Sequence, residues 1–130
     1  MPLNSKQTFR KEERIFLQKE IDLLFKEGVS FISYPLRVVY VEKKTLSEAG
    51  ISILISVSKR KFKQAVKRNR LKRLIRESYR LNKKPLCEFL KERESGLLVA
   101  FLFVGKELNQ YKEIEMAVVK ALSALKERLQ

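Results

Sequence analysis

Histidine is absent from the 130-residue chain. That removes the usual general base near neutral pH and the commonest metal ligand. Cysteine occurs once, as Cys87, which excludes an intrachain disulfide framework and a cysteine-cluster zinc site. A reducing compartment is expected. The longest uninterrupted apolar run, Leu97 to Val104, is far too short to span a bilayer. No membrane partner is expected. The first residues, MPLNSKQTFRKEE, contain no apolar signal core, so a cytoplasmic location is expected rather than export. No glycine-rich phosphate loop occurs. The carboxylates Glu12–Glu13 and Glu92–Glu94 lie in polar stretches and read as solvated charges, not as an acid/base pair.

Positive charge is abundant. Lys plus Arg is 29 against 15 Asp plus Glu, a formal net charge of +14. The hydrophobic fraction of 45% is too high for a disordered basic tail. One globular domain over 1–130, with a polar arm at 1–16, fits this length. The charge is concentrated. Ten basic residues and no acid fall between Lys59 and Arg76, and the rest of the chain is nearly balanced. Like charges repel along a helix, so such a run costs stability unless an anion neutralises it. A phosphate-bearing partner is the reading that follows.

Periodicity places the elements. Leu17, Ile21, Leu24 and Phe25 predict a helix stopped at Gly28. Leu36–Lys43, rich in β-branched residues, predicts a strand that begins after Pro35. Ile51–Ser58 alternates, with Ile51, Ile53, Ile55 and Val57 on one face and Ser52, Leu54, Ser56 and Ser58 on the other. Leu97–Val104 reads as a strand buried on both faces. A short strand near Ser30–Tyr34 is an option. The link Thr45–Gly50 reads as a hairpin loop, and Pro85 starts a short helix over Leu86–Glu94. The stripe Ile114, Ala117, Val118, Ala121, Leu122, Leu125 and Leu129 marks a C-terminal helix. The fold expected is α+β, a two-layer sandwich of helices on a small mixed sheet of three to four strands, in the order α-β-β-(β)-α-β-α.

A helix over Gln64–Asn82 carries the charge. On a 100° wheel Leu71, Leu74, Ile75, Ser78 and Leu81 gather on one side, expected to pack on the sheet. Asn69, Lys72, Arg73, Arg76 and Arg80 gather on the other, with Arg68 and Arg70 flanking. Arginine forks match phosphate oxygens, and Asn69 carries a donor and an acceptor for a hydroxyl or a base edge. For Asn69, a local bond near the helix start is an equal alternative. Small residues on the preceding strand, Ser52 and Ser56, leave room for a nucleic-acid strand. Phe16, Phe25, Phe31, Tyr34 and Tyr40 are aromatics that can stack on bases, although core packing is the plainer role for each.

The run AVKRNRLKRLIR at Ala65–Arg76, continuing to Arg80, resembles the signature of the bacterial ribonuclease P protein component. ISILISVSKR at Ile51–Arg60 is similar to the strand and loop that precede it there. Lys11, Arg14, Ile15, Phe25 and Gly28 lie in register. The resemblance implies a sandwich with a left-handed strand–helix–strand crossover, against the usual hand. It implies a partner, the catalytic RNA of ribonuclease P, and a substrate, precursor tRNA, whose 5′ leader the RNA removes. Mg2+ is then held by the RNA, and this chain is an accessory subunit with no protein active site and no obligate protein partner. The RNA-binding set implied is Lys59, Arg60, Arg68, Asn69, Arg70, Lys72, Arg73, Arg76 and Arg80. The leader cleft is expected at Phe25, Tyr40, Ser52 and Ser56. The loop Lys59–Gln64 departs from the family in length and in having Phe62 where glycine is frequent. Ile21 replaces a leader-touching Phe, and Lys84–Glu94 is longer than the family core needs. The alternatives are a structural RNA-binding protein of ribosomal type, a metal-dependent nuclease acting alone, and a DNA regulator.

Overall fold

The computed structural model describes residues 18–43, 50–106 and 111–130. The arm at 1–16, Phe16 and most of the Thr45–Gly50 link lie outside them. The described elements are α1 (Gln18–Glu27), β1 (Val29–Ser33), β2 (Leu36–Lys43), β3 (Ile51–Val57), α2 (Ala65–Asn82), α3 (Lys84–Arg93), β4 (Gly96–Phe103) and α4 (Tyr111–Leu129). The optional early strand and the short helix after Pro85 are both present.

The strands form one mixed sheet, β1-β2-β4-β3. β1 with β2 and β2 with β4 are antiparallel. β3 runs parallel to β4, with Ile51 opposite Leu97 and Val57 opposite Phe103. A parallel neighbour needs a crossover, and α2 with α3 supplies it. β4 is central and buried on both faces apart from Leu102, which is why its sequence shows no alternation. β3 is an edge strand.

The two faces differ. On one, Leu36, Val38, Ile51, Ile53, Val57, Val99 and Phe101 meet Leu71, Ile75 and Tyr79 of α2, Leu86 and Leu90 of α3, and the whole predicted stripe of α4. On the other, Leu24 of α1 packs on Val39, Leu98 and Ala100. The main sandwich therefore has two layers, and among the described elements α1 alone lies across the second face, over β2 and β4. Gly28 permits that approach. A Cβ there would sit 2.1 Å from the Leu24 carbonyl oxygen and 2.7 Å from Val39 Cγ1, inside any tolerable contact. No helix among the described residues is long and apolar enough to cross a membrane.

The buried side of α2 is rotated from the one expected. Leu71, Ile75, Ser78 and Tyr79 are buried, Leu74 is only partly so, and Leu81 is 41% exposed. The physical reason is Tyr79. Its ring lies 6.4 Å from that of Phe101 and carries the Lys83 ammonium at 5.7 Å. Burying an aromatic of that area outweighs burying one more leucine at the flank.

Candidate nucleic-acid interface

Eighteen residues free of glycine and proline make α2 continuous. Gln64 precedes it in extended conformation, and its first turn holds no acid. The positive end of the helix dipole and the Lys63 and Lys67 side chains therefore go without a nearby counter-charge on this helix. With its apolar side anchored on the sheet, the opposite side must face water. Asn69, Arg70 and Arg73 are exposed, and Lys72 and Arg76 are half-exposed. None of these four cations is ion-paired among the described residues. The Asn69 side chain makes no hydrogen bond among them either, so the local bond weighed from the sequence does not form there. The structure thus brings Asn69, Arg70, Lys72, Arg73 and Arg76 together as one ridge.

Two arginines of the expected set behave differently. Arg80 donates to Glu77, one turn back, and pairs with it. That hydrogen bond holds the Glu77 carboxyl below the usual glutamate range, against the opposing pull of desolvation. Arg68 turns away from the ridge. Its Nη1 donates to the Phe62 carbonyl at 2.7 Å and to the Lys63 carbonyl at 2.8 Å. On the wheel Arg68 stands at the flank nearest the buried side, within reach of the chain that enters the helix.

That entering chain is ordered by short-range bonds. The Ser58 hydroxyl accepts the backbone N–H groups of Arg60 and Lys61, at 3.2 and 3.4 Å. The Phe62 N–H donates to the Ser58 carbonyl at 3.0 Å. The Phe62 ring is buried edge-on against Phe103, with centroids 5.6 Å apart. Lys61 Nζ reaches the Val104 carbonyl at 3.2 Å. Lys59, Arg60, Lys61 and Lys63 are left exposed. Lys61 and Lys63 belong to the same cationic run but lie outside the RNA-binding set that the resemblance implies.

Of the cleft residues, Ser52 and Ser56 lie on the α1 side of β3, the side on which Leu54 packs. Ser56 is exposed and Ser52 half-buried. Phe25 is carried by α1 on that face and is 50% exposed. Tyr40 does not join them. It packs on the α2–α4 core and meets Phe31 edge-on at 6.0 Å. β2 is apolar on both faces, and its parity sends Leu36, Val38 and Tyr40 one way and Arg37, Val39 and Val41 the other. Arg37, exposed beneath the α1 face, is a cation that pattern reading passed over; a lone charge between Leu36 and Val38 was the signal. Tyr34 is exposed at the β1–β2 turn. No group of three or more His, Cys, Asp or Glu is placed to hold a metal among the described residues.

A sequence model of the family Ribonuclease P matches residues 9–126. The ribonuclease P protein component of Porphyromonas gingivalis is 47% identical over 112 residues, covering 86% of this chain and 82% of that one. The protein component of Petrotoga mobilis is 33% identical over 123 residues, 91% of this chain and 98% of that one. Among solved structures, the RNase P protein of Staphylococcus aureus superposes with a TM-score of 0.69 at 22% identity, over 89% of this chain and 97% of that one. The protein from Thermotoga maritima superposes at 0.61 and 24%, over 91% and 98%. The structural likenesses carry the fold; the family match, spanning nearly all of the chain and including the whole α2 ridge, carries the assignment: this chain belongs to the ribonuclease P protein component family.

Proposed function

We propose that this chain is the protein subunit of a ribonuclease P, binding its catalytic RNA through the α2 ridge. The observation that supports this most is the ridge itself: cations on an anchored helix, with no carboxylate paired to Arg70, Lys72, Arg73 or Arg76 among the described residues. Such a surface is incomplete without an anion, and arginine forks favour the phosphates of folded RNA. The face formed by α1 and β3 then takes the single-stranded 5′ leader of precursor tRNA, with Phe25 as a stacking ring and Ser52 and Ser56 leaving space for the strand.

The protein's part is binding and alignment. Endonucleolytic removal of the leader, giving the mature tRNA 5′ end, is carried by the RNA. The Mg2+ that reaction uses does not fit the ridge. Glu77 is the one acid on α2 and is already engaged by Arg80, so the donor set there suits phosphate and repels a cation. The work is placed in the cytoplasm, with no obligate protein partner.

Reconstitution with in vitro transcribed bacterial ribonuclease P RNA tests this. The wild type is expected to stimulate leader removal at low Mg2+. Arg73→Ala is expected to weaken RNA binding and lower the log–log salt slope by about one, with the circular dichroism spectrum unchanged. RNA binding without any stimulation would instead favour a structural RNA-binding protein of ribosomal type.

A further inference from the structure

We propose that Arg68 is a positioning residue: it holds the loop 58–63 in one shape so that the loop's four cations are preset for the RNA. This inference rests on the RNA-binding reading of the α2 ridge. The geometry separates Arg68 from its neighbours. Both bonds of its Nη1 are to backbone carbonyls of the chain entering α2, and those donors are then not available for phosphate.

The loop would be hard to hold otherwise. Lys59, Arg60, Lys61 and Lys63 repel one another, and no side chain caps the start of α2. Five contacts close it: the Ser58 hydroxyl under two N–H groups, the Phe62 N–H on the Ser58 carbonyl, the Phe62 ring seated on Phe103, the Lys61 ammonium on the Val104 carbonyl, and the Arg68 guanidinium on the carbonyls of Phe62 and Lys63. All but the last fix the loop's beginning and middle. Among the described side chains, the Arg68 guanidinium is the one that ties its end to the helix. Without that tie the loop cations must be ordered at the moment of binding, which lowers affinity. Sequence spacing cannot reveal this role, because a carbonyl partner carries no side-chain signature.

The test pairs hydrogen exchange of the free protein with RNA binding. In Arg68→Ala the amides of Arg60, Lys61 and Phe62 are expected to exchange faster, while those of β3 and of the middle of α2 keep their protection. Affinity for the in vitro transcribed ribonuclease P RNA should fall about tenfold, the order set by freeing one to three side chains. In a background where Lys59, Arg60, Lys61 and Lys63 are all alanine, the same change should cost less than about twofold. Equal losses in both backgrounds, or unchanged loop exchange, would overturn the proposal and mark Arg68 as a direct contact. Arg68→Lys covers the case in which alanine disrupts the helix. Affinity and loop protection should recover together, and recovery of affinity over an unprotected loop overturns the idea. Failure of the wild type to bind the RNA, with loop protection still dependent on Arg68, would sink the RNA reading instead.

Discussion

Arg68, Arg73 and Arg80 stand on one helix, yet their surroundings give them three occupations. Arg68 reaches backbone carbonyls because it lies one turn inside the helix start, above the loop. Arg73 has no ion-pair partner among the described residues, because the residues three and four positions away, Arg70, Arg76, Asn69 and Glu77, leave it only Glu77, which Arg80 occupies. Arg80 is closed by that glutamate. Its carboxyl is held below the ordinary range by the hydrogen bond from Arg80. Stability from a lowered carboxyl is present above the unfolded value and lost as pH falls through the folded one. The pair is therefore intact at neutral pH, and Glu77 marks the end of the unpaired cationic ridge. Removing it should lengthen the ridge. Glu77→Ala is expected to raise RNA affinity and steepen the log–log salt slope by up to about one, measured by filter binding across a salt series. An unchanged slope would show that Arg80 faces no phosphate.

At the scale of elements, one backbone device stands out in α3. The helix ends at Glu94, whose φ of 55° and ψ of 38° lie in the left-handed region. The Ser95 N–H closes the turn onto the Leu90 carbonyl at 3.0 Å, the pattern that favours glycine. Glu94→Gly is expected to stabilise the fold by about 0.5–1 kcal/mol, read as a higher urea midpoint at unchanged slope; a loss of stability would mean that the carboxylate itself is needed. The elements were largely legible from sequence because their patterns were strong: alternation in β3, a continuous apolar run in β4, an unbroken stripe in α4. What escaped was one pairing and orientation: β4 inserts between β2 and β3, so these two strands do not form the hairpin expected across Thr45–Gly50. β2 has apolar residues on both parities, so nothing in Leu36–Lys43 said which way Tyr40 points. Tyr79 is amphipathic, so a two-letter pattern favoured Leu81, and the helix turned by a fraction of a step to bury the ring over Phe101. The ridge survived that turn because it spans a broad arc, and the cleft lost Tyr40 because a strand allows only two choices.

The whole molecule carries +14 on 130 residues, with most of the excess on α2 and the loop before it. Charges on one helix face lie within the screening length of about 8 Å at physiological salt, so the folded state holds repulsion that an extended chain relieves. An anion seated on the ridge binds the native state and not the unfolded one, and so shifts the folding equilibrium by mass action. Inorganic tripolyphosphate is a fitting probe, because it offers several linked phosphates without any sugar or base. At a hundredfold excess over its dissociation constant it should contribute about 2.7 kcal/mol, a rise in melting temperature on the order of 10 °C for a domain of this size. Sodium chloride at matched ionic strength should give much less, since it screens without bridging the forks. Replacing Arg73 and Arg76 together by alanine should raise the melting temperature in low salt, by relieving repulsion, and shrink the tripolyphosphate shift. The two signs are opposite, and that is what makes the test sharp: loss of packing would lower the first value, and an anion bound elsewhere would leave the second unchanged.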